Sequence, residues 1–368
     1  MRIQLWKQTS LWALAILLSG CGSGGATITG PPPPPPAQNS FLYVANGASG
    51  NISGFSIDSS SGALSPVPGS PFTAPTSING SMAASSTLLF ASDGLTAPFA
   101  VCSISAATGA LSVQTGPLPS NSALTAMAVD PAGKFLYGLN TGTDIVIYSI
   151  EGRTEIGGSP FFFPGVTGNA DAVHPSGKFL YVSDAGNSSI FGFLITSGTG
   201  GVSIFPGAPA PAGVAPDSLA LDPTGQFAYA ANRDSLDVSG FAISQQTGAL
   251  TAIGGSPFAL GGSPDAIVVA PSGKFVYVAR GADDLVSGFA VDAGTGALAP
   301  VPGSPFSSVG HPMALAVDPS SNFLYVANNS ANNLTGFRID GASGSLSVIP
   351  GSPFSTGQAP AKVLSVKP

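Results

Sequence analysis

Few side chains in this sequence could do acid–base work. The 368 residues hold two histidines, His174 and His311, and two glutamates, Glu151 and Glu155. Hydrolytic chemistry needs a base that activates water and a donor that holds an oxyanion. His311, just before Pro312, is the candidate base, with Asp265 and Asp217 as candidate carboxylates. His174 stands where Asp130, Asp222 and Asp318 precede turn prolines, and reads as a turn residue. A second constellation comes from spacing. Six residues before successive turn prolines lie Thr125, Asn169, Asp217, Asp265 and Met313, and Lys362 occupies the corresponding C-terminal stretch. Asn169, Asp217, Asp265 and Lys362, with Arg280 from a nearby charged loop, are the candidate ligand-binding residues. Such a mixed polar set suits a small polyhydroxylated ligand or a cation. No metal-ligand spacing, nucleophile elbow or phosphate-binding glycine loop is present, so neither metal nor cofactor is expected.

The elements that must position these residues are repeats. An aromatic recurs at Tyr43, Phe90, Tyr137, Tyr181, Tyr229, Tyr277 and Tyr325, in steps of 47, 47, 44, 48, 48 and 48 residues. A second register runs Phe55, Cys102, Tyr148, Phe193, Phe241, Phe289 and Phe337. The tetrapeptide Gly-Ser-Pro-Phe begins at Gly69, Gly158, Gly255, Gly303 and Gly351, with degenerate copies at Gly116 and Gly207. Each unit reads as four short strands; in the last full copy these are 313–318, 323–327, 334–339 and 346–349. A four-stranded repeat of about 40–50 residues is a propeller blade. The expected fold is all-β, a seven-bladed β-propeller over residues 41–368. The 49 glycines and 34 prolines argue against helical repeats.

The chain ends sharpen this reading. The first repeat begins at Phe41-Leu42-Tyr43 and lacks the strand that precedes every later copy. The C-terminal residues, about Ala361 to Val366, are that missing strand. They should complete the first blade as its innermost strand and remove two exposed sheet edges. The residues six before each turn proline should then ring one mouth of the central channel. Cys102, at an otherwise aromatic position, should be a core residue.

The copies Phe41-Leu42-Tyr43-Val44-Ala45-Asn46, Phe275-Val276-Tyr277-Val278-Ala279-Arg280 and Phe323-Leu324-Tyr325-Val326-Ala327-Asn328 resemble the YVTN repeat. The wider pattern, including Asp130-Pro131-Ala132-Gly133-Lys134-Phe135-Leu136-Tyr137, resembles the seven-bladed lactonase propellers, similar to 6-phosphogluconolactonase. That resemblance covers about residues 41–367 and implies hydrolysis of a sugar-acid lactone as one possible activity. Those enzymes carry Pro-Arg-His entering an innermost strand. Here the stretches read Pro216-Asp217-Ser218, Pro264-Asp265-Ala266 and Pro312-Met313-Ala314. A glutamate often follows their YV strand; here Asn46, Asp184, Asn232, Arg280 and Asn328 stand near that place. These departures favour a binding or interaction module over an enzyme.

Residues 1–20 read as a lipoprotein signal: Arg2 and Lys7, the apolar run 11–18, then Leu18-Ser19-Gly20-Cys21. This matches a bacterial lipobox, in which Cys21 is lipidated and becomes the first mature residue. Residues 21–40 form a Gly- and Pro-rich spacer with six consecutive prolines, stiff in the polyproline II conformation. Gly22 rather than an aspartate follows the cysteine, which favours the outer membrane of the cell envelope. The expected partners are that membrane, through the anchor, and a small polar or carbohydrate-like ligand or another surface protein. With 8% charged residues and a net charge of −7, a nucleic-acid-binding surface is excluded. A monomer is expected.

Overall fold

The computed structural model describes residues 39–74, 78, 80–95, 99–114, 123–141, 144–162 and 168–368. The signal, Cys21 and nearly all of the spacer lie outside them. The described residues form seven antiparallel sheets and no α-helix, only a 3-10 turn at Gly281–Asp283. Blade 1 is built on Ser40–Asn46 and blade 7 on Phe323–Asn328. The C-terminal strand Pro360–Val366 pairs with Ser40–Asn46, with Tyr43 opposite Leu364, as the innermost strand of blade 1. Ring closure by the C-terminus is therefore present as expected. The only change is that the strand starts one residue earlier.

Glycine and proline content dictates the short strands; a few recurring contacts hold them together. Five blades gain a fifth, two-residue strand that the repeat pattern did not suggest. In blade 7, Phe354 of Gly-Ser-Pro-Phe pairs with Leu334 at the start of the third strand. The tetrapeptide serine accepts the N–H of a mid-strand glycine, as in Gly336 N to Ser352 Oγ at 3.0 Å. That explains its recurrence: it satisfies a backbone donor at the sheet edge.

The Asp before the turn proline organises the hairpin between the first and second strands. Asp318 Oδ1 accepts the N–H groups of Asn322 and Phe323, both at 2.7 Å. His174 takes over this place in blade 4. It is 1% exposed; its Nδ1 accepts the Ser176 N–H at 3.1 Å, and its Nε2 lies 2.8 Å from Gly225 O. This is a structural histidine, as its position suggests. Cys102 is likewise a core residue, 2% exposed, with burial pushing its thiol up to about 11.

The joints between blades repeat one device. The strand tyrosine of one blade donates its hydroxyl to a glycine carbonyl in the outer hairpin of the next. Tyr43 reaches Gly109 at 2.7 Å, and Tyr325 reaches Gly62 at 2.7 Å across the ring closure. The same glycine lies flat on the preceding blade's phenylalanine. A Cβ on Gly62, whose φ is +78°, would sit 2.4 Å from the Phe323 ring, so no other residue fits there.

Candidate functional site

The innermost strands place the ring residues through β-bulges. In blades 3, 4, 5 and 7 the strand register slips at Thr125, Asn169, Asp217 and Met313, leaving each without a cross-strand partner. A bulge re-aims the extra side chain. These residues and Asp265 line one cavity of about 220 Å³ at the channel mouth. The spacing rule thus located a real ring. In blade 1 the slip falls on Ala361, so Lys362 sits one register place deeper than expected, though it lines the same cavity.

Polar contacts link neighbouring blades along this mouth. Asn169 Nδ2 donates to Asp217 Oδ1 at 2.5 Å, and the Arg233 guanidinium pairs with Asp217 Oδ2. Burial raises the Asp217 carboxyl above the usual range, while Arg233 and then Asn169 pull it back. Asp265 Oδ2 accepts the Gly281 N–H at 2.6 Å. A Cβ on Gly281 would meet Asp265 Oδ2 at 2.8 Å and His311 Nδ1 at 3.0 Å, so these two candidate side chains crowd one point. His311 has φ +61°, but Ala215 and Ala359 share a left-handed φ at the equivalent place before a proline. The backbone there belongs to the fold; only the imidazole is particular to this blade. Asp284 Oδ1 accepts the His311 N–H at 2.7 Å and anchors the loop.

Arg280 lies outside the lining of the mouth cavity. It is 7% exposed, pairs with Asp283 at 2.5 Å and braces the loop that follows its strand. Asn46, Asn232 and Asn328 at the equivalent place are fully buried and brace their loops in the same way. Asn232 Nδ2, for example, donates to Asp237 at 2.7 Å and to Ser239 at 2.9 Å. This column of the repeat is structural.

The residue that the spacing argument missed is Asp171, on the innermost strand of blade 4. At its register place the other blades carry Met82, Met127, Leu219, Ile267, Leu315 and Val363. Its Oδ2 is buried without a hydrogen-bond partner, and burial pushes the carboxyl up to about 8. The residue faces the mouth cavity, where water reaches part of it, while protein surrounds it on every other side. Lys362 is as singular: its register equivalents are Ser81, Ala126, Ala170, Ser218, Ala266 and Ala314. It is open to channel water, yet the enclosing walls solvate its ammonium poorly and lower its pKa. The lone carboxylate in an apolar column was visible in the aligned repeats; the small-residue column of Lys362 emerges only from the register of the structure. Among the described residues no cluster of metal-ligating side chains is found.

A family model described as lactonase, 7-bladed beta-propeller, matches residues 163–265 and 259–360. No curated protein sequence matches. Solved structures with the same fold are numerous. A proposed 6-phosphogluconolactonase from Bacteroides fragilis is 19% identical with a TM-score of 0.74, over 91% of this chain and 99% of that one. A periplasmic gluconolactonase from Pseudomonas aeruginosa is 20% identical with a TM-score of 0.71, over 90% of this chain and 100% of that one. Hydrazine synthase from Kuenenia stuttgartiensis, 20% identical with a TM-score of 0.59, covers 78% of this chain and 90% of its own. At such identities these structures show the fold alone, and the fold hosts unrelated chemistries. The family match spans more than half of the sequence, and the chain belongs to the lactonase family of seven-bladed β-propellers.

Proposed function

We propose that the protein is a lipid-anchored, extracytoplasmic binding module that holds a small polyhydroxylated ligand at its channel mouth. The observation that carries this reading is the asymmetry of the mouth. Blades 3 to 6 contribute Thr125, Asn169, Asp217 and Asp265 to its lining, whereas blade 7 contributes Met313 and blade 1 contributes Lys362. A crescent of acceptors and donors, with the Met313 side chain and the Lys362 ammonium opposite, suits a sugar-like molecule, which has hydroxyls on its rim and C–H groups on its faces. Isothermal titration of the full chain with monosaccharides and sugar acids tests it. Binding should be weakened at least tenfold by Asp265→Ala or Asp217→Ala. Absence of binding across the panel would refute it.

The second reading is lactone hydrolysis, favoured by the crowding of His311 against Asp265. There His311 would activate water for attack on the lactone carbonyl. The periplasmic gluconolactonase among the similar structures agrees with that chemistry. Turnover of gluconolactones or acyl lactones that is lost in His311→Ala and Asp265→Ala would replace the binding reading with this one. The anchor has its own test. Cys21→Ala should move the protein from the membrane to the soluble fraction, and continued membrane retention would overturn the lipid assignment.

A further inference from the structure

Six of the seven joints between blades carry the tyrosine-to-glycine clasp, and the joint from blade 2 to blade 3 does not. Three departures coincide there. Phe90 replaces the tyrosine and has no hydroxyl to donate. Leu88 replaces the phenylalanine found at Phe41, Phe135, Phe179, Phe227, Phe275 and Phe323. The outer hairpin of blade 3 is shortened, and a Cβ on its Gly152 would meet Ser149 and Thr154 rather than the preceding blade's ring. With the ring, the hydroxyl and the covering glycine all missing, a cavity of about 280 Å³ remains between the two blades.

Its walls are apolar: Leu88, Phe90, Phe99, Val101, Leu136 and Tyr148. Phe99 makes edge contacts with Phe90 and Tyr148, ring centres 6.3 and 5.2 Å apart, so an aromatic wall stands ready-made. A cavity of about 150 Å³ lined by aliphatic and aromatic groups already binds benzene, so this one admits a ring with a short chain. Arg153 and Gln114 stand at the rim. Gln114 is engaged with Ser103 at 3.0 Å, whereas Arg153 is exposed and forms none of the ion pairs among the described residues. An apolar slot with one free guanidinium at its opening fits a molecule with an apolar body and an anionic end.

We infer that the joint between blades 2 and 3 is a second binding site, separate from the channel, for a small amphipathic carboxylate with an aromatic or branched apolar body. The body occupies the space that phenylalanine and the outer hairpin fill at the other joints, and the carboxylate meets Arg153. The inference does not rest on any function of the channel.

The test is isothermal titration of the full chain at pH 7 with 4-phenylbutanoate and with its neutral amide. The carboxylate should bind, and the amide should bind several-fold more weakly. Leu88→Phe restores the residue of the other six blades and should weaken both probes at least tenfold. Arg153→Ala, an exposed change, should weaken the carboxylate several-fold and leave the amide unchanged. No binding of the carboxylate would overturn the inference. So would binding that survives Leu88→Phe undiminished, or equal loss of both probes in Arg153→Ala.

Discussion

Replacing Asp171 by asparagine removes a carboxyl that the folded protein holds under strain, and the effect should depend on pH. The folded group titrates at about 8 because burial disfavours its charge and Oδ2 has no hydrogen-bond partner. An unfolded aspartate titrates at about 3.9. Below about pH 4 the carboxyl is protonated in both states, and its full contribution to stability is present. Between about pH 4 and 8 the folded state binds the extra proton, so stability falls as pH rises, and the loss is complete above about 8. Four pKa units at about 1.4 kcal/mol each set a ceiling of about 5–6 kcal/mol. Channel water reaches the side chain, and at a realistic effective dielectric the loss should be about 2–3 kcal/mol. Asp171→Asn should therefore match the wild type near pH 4.5 and exceed it by about 2–3 kcal/mol at pH 9. Urea unfolding at pH 4.5, 7 and 9 reads this as a growing difference in midpoint. A wild type-to-variant difference that stays constant over that range would refute the shifted carboxyl.

Tyr325→Phe removes the clasp across the ring closure, leaves the Gly62 carbonyl without its donor, and should cost about 1–3 kcal/mol. A urea midpoint equal to wild type would show the clasp to be neutral. Deleting residues 358–368 exposes the strand Ser40–Asn46 along its inner edge. The product should aggregate, and a stable monomer on size-exclusion chromatography would count against closure by that strand. Cys102 should resist a maleimide reagent at pH 8 in the folded protein, since it is buried and its thiol stays protonated; rapid labelling would contradict its place in the core.

Much of this molecule was legible because it is repetitive. The tyrosine and Gly-Ser-Pro-Phe registers yielded seven blades, and the missing first strand pointed to closure by the C-terminus. Thr125, Asn169, Asp217, Asp265 and Met313 were grouped by spacing alone, since a repeated backbone carries equal sequence positions to equal heights along the channel. Lys362 was misplaced by one because a bulge at Ala361 leaves no trace in spacing. Arg280, a ligand candidate by its charge, lies outside the lining of the mouth cavity and pairs with Asp283 of its own loop.

What the sequence determined by itself is the architecture: strand pattern and period depend on local residue types, and those recur seven times. Only the tertiary structure decided which polar groups are solvated and which are stranded. Asp171 differs from Asp217 in that Asn169 and Arg233 stand against the Asp217 carboxylate, whereas Oδ2 of Asp171 is buried without a hydrogen-bond partner. Both partners of Asp217 come from other strands or loops. The cavity between blades 2 and 3 likewise arises from Leu88, Phe90 and a short hairpin 60 residues further on, brought together only when neighbouring blades pack. Such sites are set by contacts between distant segments, and those contacts exist only once the ring has closed.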